Sequence, residues 1–402
     1  MSVQRPSTLS ETTVRELSEA RDEPDWLLEM RLNGLSALDE ADLPDVIETP
    51  GRRWTNLSEL DFEKFIDAQS QSEETVREGP EGVEVKSFQN ALEEHEELLK
   101  EHLGSVIDPA ENYFTALSAA LFTTGTFVYV PEGTTADEIT IRGEMESPSL
   151  FSQTLVVAEE SASATILESI TAAGDSDSQY FSNIVEVVGK QNSYVQYGSL
   201  QTLPEDTYNY TLKRGTVQRD AMVNWIEANI GSRLTRSDVE TKLVGDGSET
   251  KIVGTFFGRE DQHLDVNARV WHEAAHTTAD LVTRGVLDDK ARSVYEGVQD
   301  VGRDAWDTSS YQRENTLMLS DDAEADASPK LIIHNHDTEA SHSATVGQVD
   351  EEELLYLTSR GIEKQQAIDM LVEGFFVPVL EEIDIDEFRA DIESEIMARL
   401  HS

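Results

Sequence analysis

No cysteine occurs among the 402 residues. That excludes disulfides, thiolate nucleophiles and thiolate metal ligands together. Positive charge is scarce. Lys and Arg number 31 against 80 Asp and Glu, giving a formal net charge of −49. A surface this acidic repels nucleic acid and anionic membranes, so neither is expected as a partner. No run of 18 apolar residues exists, so no membrane-spanning helix is expected. The opening MSVQRPSTLSETTVREL lacks the apolar segment of a signal peptide, and a cytoplasmic location is expected.

What is present argues for a folded, soluble protein. The acidic residues are interspersed with periodic apolar ones instead of forming the blocks of a disordered tail. Hydrophobic residues make up 38% of the chain, enough for a core, and the length suits two or three domains. Acidity of this kind fits a high-salt cytoplasm, where a Debye length of ~3 Å at 1 M salt screens surface repulsion.

The texture divides the chain into residues 1–123, 124–349 and 350–402. The first part reads helical. TLSETTVRELSEARDEPDWLLEMRLNGLSAL carries strong helix formers and should break at Pro24. SELDFEKFIDAQS and SFQNALEEHEELLKEHL read as further helices. DPAENYFTALSAALFTTG reads as another, with Asp108 as N-cap, Pro109 in the first turn and Phe114, Leu117 and Leu121 on one face. From TFVYVPEG onward, short β-rich segments alternate with small acidic or Gly-containing turns. Six of these turns, marked by Glu159, Gly189, Gln218, Gly245, Asp288 and Asp321, are 30, 29, 27, 43 and 33 residues apart. A degenerate repeat of about 30 residues favours stacked coils, a β-solenoid, over a β-sandwich.

Two histidine motifs invite metal chemistry. HEAAH, His272 to His276, matches the H-E-x-x-H zinc-protease pattern, with Glu296 downstream. That chemistry needs a helix, whereas Leu264, Val266, Ala268 and Val270 alternate as in a strand. Two histidines four residues apart on a strand stand about 13 Å apart, too far for one zinc. HNH is the second motif. His334, His336 and His342, with Asp337, could form a site of the kind used by β-barrel oxygenases, or could be surface histidines beside a turn.

The stretch EASHSATVGQVDEEELLYLTSRGI, residues 339–362, begins as a strand or loop and turns helical. Asp350 suits the N-cap, Glu353 the capping-box acid and Gly361 the C′ stop. Leu354, Leu355, Tyr356 and Leu357 surround the whole circumference of that helix, so one side needs a cover other than the parent domain.

This stretch resembles the C-terminal signature of the SufB/SufD family of the SUF iron–sulfur cluster assembly system. RDEPDWLLEMRL, AALFTTGTFVYVPEG, HEAAHTTADLVTRGVLDDKARSVYEGV and GFFVPVLEEI resemble further blocks of that family in the same order. The resemblance implies N-terminal helices (1–123), a right-handed parallel β-helix (124–349) and C-terminal helices (350–402). It implies a scaffold without turnover of its own, paired with SufB through the β-helix and with the ATPase SufC through the C-terminal helices. Leu354, Tyr356, Leu357, Arg360, Gly361 and Phe375 are the partner-binding residues it suggests. The B-type subunit carries a cluster-holding cysteine at the position matched here by Glu314, so a cysteine-free chain of this length reads as the D-type, with a B-type paralogue as the alternative. His342 matches a histidine implicated at the subunit interface and is the candidate ligand for a transient iron–sulfur cluster or iron; no tightly bound cofactor is implied for the isolated chain. Ala340 stands where many D-type chains have cysteine. The isolated chain could be a homodimer. Together with the acidity, the resemblance suggests a halophilic archaeal source. The competing hypothesis is a metalloenzyme built on His334, His336 and His342.

Overall fold

The computed structural model describes residues 6, 8–41, 71, 73–173, 179–383 and 385–401. The segment SELDFEKFIDAQS lies outside them. Two helices open the chain, α1 (Glu11–Glu19) and α2 (Asp25–Ala37), with Pro24 as the N-cap residue of α2. The expected break at Pro24 is therefore where the sequence puts it. SFQNALEEHEELLKEHL forms two short helices, α3 (Phe88–Glu94) and α4 (Glu96–His102), interrupted at His95. Next, α5 (Tyr113–Leu121) begins later than expected. Asn112, not Asp108, caps it by accepting from the N–H groups of Phe114 and Thr115. Asp108 instead accepts from Ala110 N in a preceding turn.

The N-terminal part is not purely helical. β1 (Glu73–Glu78) and β2 (Glu84–Ser87) flank a turn containing Gly79, Pro80 and Gly82. The solenoid strands follow in pairs: β3 (Thr126–Val130) and β4 (Thr135–Met145), β5 (Ser149–Ala158) and β6 (Ser163–Ala172), β7 (Gln179–Gly189) and β8 (Tyr194–Gln201), β9 (Thr207–Val217) and β10 (Met222–Asn229), β11 (Leu234–Leu243) and β12 (Glu249–Gly258), β13 (His263–His272) and β14 (Thr278–Leu287), β15 (Arg292–Val301) and β16 (Thr308–Met318), β17 (Glu324–Ile333) and β18 (Thr338–Gln348). Even-numbered strands from β4 to β18 form one parallel sheet and odd-numbered strands from β3 to β17 the other. The chain is thus a β-solenoid with helices at both ends. The C-terminal helices are α6 (Glu351–Ser359), α7 (Lys364–Leu380) and α8 (Asp386–Leu400).

Between the sheets, Val128, Ile166, Tyr197, Trp225, Val239, Ile252, Val270 and Leu281 form a continuous apolar core. Both sheets are also covered on their outer faces, which explains strands buried along their whole length, such as β5 and β7. The N-terminal helices cover the odd sheet through Phe114, Leu117, Phe151, Tyr180 and Tyr210. Helices α7 and α8 cover the even sheet, with Val372, Phe376, Phe388 and Ile392 against Leu200, Ile226, Val253 and Phe257.

The corner leading from odd to even strands is a ladder of left-handed residues. Gly133, Ser161, Asn192, Asp220, Gly247, His276 and Asp307 all have φ between 54° and 72°. The N–H groups of Ser161, Asn192, Asp220, Gly247 and His276 each donate to a carbonyl in the next coil. Glu159, Gly189, Gln218 and Gly245 mark this corner, while Asp288 and Asp321 sit at the opposite one, after β14 and β16. The anomalous 43-residue gap is that jump between corners. The turn missing from the series is the one containing HEAAH.

The two ends of the solenoid differ. At the N-terminal end, β1 pairs antiparallel with β4 and β2 antiparallel with β3, closing both sheet edges. At the C-terminal end, β17 and β18 terminate their sheets with no further strand among the described residues. Every residue of these two strands is at least partly exposed.

Candidate functional site

HEAAH forms no zinc site. Strand β13 ends at His272, and the next residues turn the corner. His272 faces the core, with Nδ1 2.8 Å from Thr277 Oγ1 and Nε2 3.3 Å from Gln299 Oε1. Burial lowers its pKa to about 4, so it is neutral. His276 lies at the exposed corner with φ 60°, its Nδ1 2.8 Å from Asp307 Oδ2. One ring points inward and the other out, so the two share no cation. Glu273 is exposed. Glu273→Gln is expected to leave the melting temperature unchanged and to abolish no peptidase activity. Zinc-dependent proteolysis lost in that variant would overturn the assignment.

His334, His336 and His342 are likewise not assembled into a cage. Among the described residues, no group of three or more His, Asp or Glu is placed to hold a metal. His334 and His336 lie at the exposed corner before β18, whereas His342 lies within that strand. The metalloenzyme expectation therefore loses its triad within this chain. His342 stands on the open edge strand, paired in register with Gln312 of β16.

That open end is rich in exposed apolar side chains. Trp306, Tyr311, Ile332, Ile333 and Val346 all belong to the last two coils. A second such group, Leu355, Tyr356, Met370 and Val377, belongs to α6 and α7. Isolated exposed apolar residues mean little, but clusters mark surfaces that bind. An open parallel edge adds unpaired backbone donors and acceptors, which another strand can satisfy.

Helix α6 is capped by Asp350 as its sequence leads one to expect, without the capping-box bond expected of Glu353. Asp350 Oδ1 accepts from Glu352 N at 2.7 Å and Glu353 N at 3.1 Å, and three glutamates occupy the first turn. Gly361, with φ 89°, ends it. None of its residues is buried. Leu354 and Leu357 are half-buried, while Leu355 is 67% and Tyr356 56% exposed. The Arg360 guanidinium lies 4.0 Å from the Tyr356 ring centroid. Glu352, Glu353, Tyr356, Leu357 and Leu371 line an open groove of about 440 Å³. Phe375 is engaged within the chain: its ring lies under Arg284 of β14, which also donates to the Phe375 carbonyl. Leu355 is the residue that pattern reasoning passed over, because four consecutive leucine-like positions do not reveal which one the parent domain leaves free.

The polar residue that sequence reasoning undervalued is Glu314. It faces inward on β16 and is fully buried. One carboxylate oxygen accepts from the Thr316 hydroxyl; Oε2 has no hydrogen-bond partner. Burial pushes the carboxyl up to about 7. Because the folded-state value is raised, the stability this group allows is fully present below the unfolded value near 4.5 and is lost as pH rises through 7. Glu314→Gln is therefore expected to stabilise the chain at pH 8 and to change little at pH 5. The gain is at most about 3 kcal/mol, at 1.36 kcal/mol per pKa unit. Urea midpoints at the two pH values check it; an equal shift at both would show that charge is not the cause.

Comparison with known proteins agrees with this architecture. The family described as "SUF system FeS cluster assembly, SufBD core domain" matches residues 140–375, and "SufBD protein N-terminal region" matches residues 57–141. An iron–sulfur cluster assembly SufBD family protein of Staphylococcus saprophyticus is 30% identical over 419 aligned positions, covering 94% of this chain and 90% of the relative. Proteins of the same description from Staphylococcus haemolyticus and Staphylococcus epidermidis are each 29% identical with the same coverage. Among the described residues, no helix is long and apolar enough to cross a membrane.

Proposed function

This chain belongs to the SufBD family of iron–sulfur cluster assembly proteins, and we propose that it is the D-type scaffold subunit, which performs no turnover of its own. The observation that carries this reading is the uncovered last coil in a chain without cysteine. Strands β17 and β18 offer a second solenoid of the same fold, SufB, an edge to pair with, and the apolar cluster around Trp306 and Ile333 offers it area to bury. With no thiolate to hold a cluster, the chain contributes to a shared site only through nitrogen and oxygen donors, of which His342 is the imidazole on the edge strand β18. A B-type subunit would need a thiolate that this sequence lacks.

The helix α6 surface is the second docking site in this reading, and its occupant is the ATPase SufC. The helix lies outside strands β17 and β18, so loss of one partner is expected to leave the other bound. Affinity capture of the tagged chain from its native host at high salt tests the assignment. Both a SufB-type chain and a SufC-type ATPase should be retained in stoichiometric amounts. Recovery of the chain alone, or only as a homodimer, would overturn it.

A further inference from the structure

Three charged side chains stand together between the two sheets, among core residues such as Ile166, Val185, Trp225 and Val239. Glu168 on β6, Lys213 on β9 and Glu227 on β10 are each no more than 3% exposed. Lys213 Nζ donates to Glu227 Oε2 at 2.8 Å. Glu168 accepts from Asn183 Nδ2 at 3.1 Å and from the Ser199 hydroxyl at 3.4 Å, and the Tyr197 hydroxyl lies beside it. Glu168 is also within electrostatic reach of both Lys213 and Glu227. Glu227 Oε1 has no partner.

The flanking strands bring no further charge. In register with Glu168 and Glu227 on the even sheet are Ile141, Ser199 and Gly254, and with Lys213 on the odd sheet Val185 and Val239. The next acid of the even row is Glu314, beyond Gly254 and Thr283. The cluster therefore holds two acids and one base. With all three ionised, a net charge of −1 would be sealed into the core. That is costly, and a buried carboxyl avoids the cost by keeping its proton. Burial indeed pushes both carboxyls above their ordinary range, although Lys213 pulls each the other way. Acids that interact in this way release their protons as a pair.

The same strands seat the C-terminal helices. Adjacent residues of a strand point to opposite faces. Leu167, Leu200 and Ile226, next to Glu168, Ser199 and Glu227, pack outward against Val372 and Phe376 of α7 and Phe388 and Ile392 of α8. At Gly198 the Phe388 ring lies where a Cβ would be. A shift of β6, β8 or β10 that admitted water to the carboxylates would disturb this seat.

We propose that Glu168 and Glu227 share one proton against the single charge of Lys213, and that this proton is a lock: it keeps the core neutral and the C-terminal helices seated, and its loss to solvent as pH rises loosens both. The unfolded chain gives up the proton near the ordinary value of 4.5, whereas the folded chain holds it to higher pH. The stability it confers is thus fully present below 4.5 and is lost as pH rises through the raised range. While the folded chain alone holds the proton, the folding constant falls about tenfold per pH unit.

The test uses the full-length chain carrying Glu314→Gln, which removes the other inward acid of the row, and adds Glu168→Gln or Glu227→Gln to it. Both additions are isosteric, and circular dichroism at pH 5 checks the fold. Infrared difference spectra at about pH 7 read the carbonyl band of a protonated carboxylic acid. One carboxyl's worth of that band should disappear in either variant, because with one acid removed Lys213 balances the other. A lone buried acid would lose it in one variant only. From pH 5 upward, the folding constant from urea titration should fall about tenfold less per pH unit in either variant than in the parent. Hydrogen-exchange protection of α7 and α8, corrected for intrinsic rates, should drop with rising pH in the parent and hold in both variants. No loss of the band, or its loss in only one variant, overturns the shared proton. Protection of α7 and α8 that changes equally in all three proteins overturns the lock.

Discussion

Arg31→Ala should be the most destabilising single substitution on the helical face of the solenoid, at roughly 3–5 kcal/mol. The side chain is fully buried in α2. Its Nε and Nη2 donate to both oxygens of Glu23 at 2.7 and 2.6 Å, its Nη2 also to the Phe122 carbonyl at 2.8 Å, and its Nη1 to the Ala120 carbonyl at 3.4 Å. The guanidinium lies 4.2 Å from the Phe122 ring centroid. One residue thus joins the α1–α2 turn, helix α2 and the chain leaving α5 toward β3. Removing it strands the Glu23 carboxylate, whose side chain is 2% exposed, together with two carbonyls. The penalty is that of a buried charge left unpaired, not the modest net value of an ion pair. The double variant Arg31→Met with Glu23→Gln should recover most of the loss. Urea denaturation of the three proteins decides it. A loss below 1 kcal/mol for Arg31→Ala would show that Glu23 finds water, and that the pair is only a surface one.

Nothing in DEPDWLLEMRL announces this role. An arginine near the middle of a short helix reads as a solvated base, and α2 shows almost no segregation of polar and apolar faces because its buried side carries Arg31 and Gly34 beside Leu27 and Leu35. Local signals were more legible. Pro24, Asp350 and Gly361 act where backbone chemistry alone puts them, since an N-cap or a left-handed C′ residue depends on a few neighbouring atoms. Asp108 misleads for the same reason: it does make a cap-like bond, but the chain turns once more before Asn112 starts the helix. Strands β1 and β2 could not be read from their neighbourhood, because their partners β4 and β3 are tens of residues away and their pairing closes an edge.

The solenoid repeat was visible because each corner needs a residue that tolerates positive φ, and Asn, Asp, Ser and Gly supply six of its seven places. His276 breaks that code. The corner therefore went unmarked where HEAAH stands, and its histidines drew attention to chemistry they do not perform. Glu314 shows the reverse. It looks like one more acid among 80 acidic residues, and only the register of β16 against β14 shows that it faces the core.

The docking surface proposed on α6 yields the cleanest functional expectation. Leu355→Asp combined with Tyr356→Asp should reduce retention of the ATPase partner more than a hundredfold and leave the second solenoid bound. Leu355 and Tyr356 are the most exposed large apolar residues of α6, and the groove beside them is bounded by Glu352 and Glu353. A tyrosine anchor in such a setting contributes about 2 kcal/mol or more when a partner buries it, and full burial of a leucine side chain contributes about 1.5–3 kcal/mol. Introducing carboxylates adds a desolvation penalty in a surface that is already acidic. Neither residue is buried in this chain, so the folded state should lose about 0.5 kcal/mol at most per substitution. That separates this pair from Leu357, which is half-buried and lines the groove, so that its replacement would confound lost docking with a disturbed α6. Arg360, stacked on the Tyr356 ring, loses its platform in the same variant but sits outside the helix core. Capture experiments at high salt, with melting curves on the same preparations, give the result directly. An undiminished ATPase yield would place its docking site elsewhere, and loss of the second solenoid as well would mean that the two surfaces are coupled through α7, where Arg284 and Phe375 hold the helix to the β-sheet.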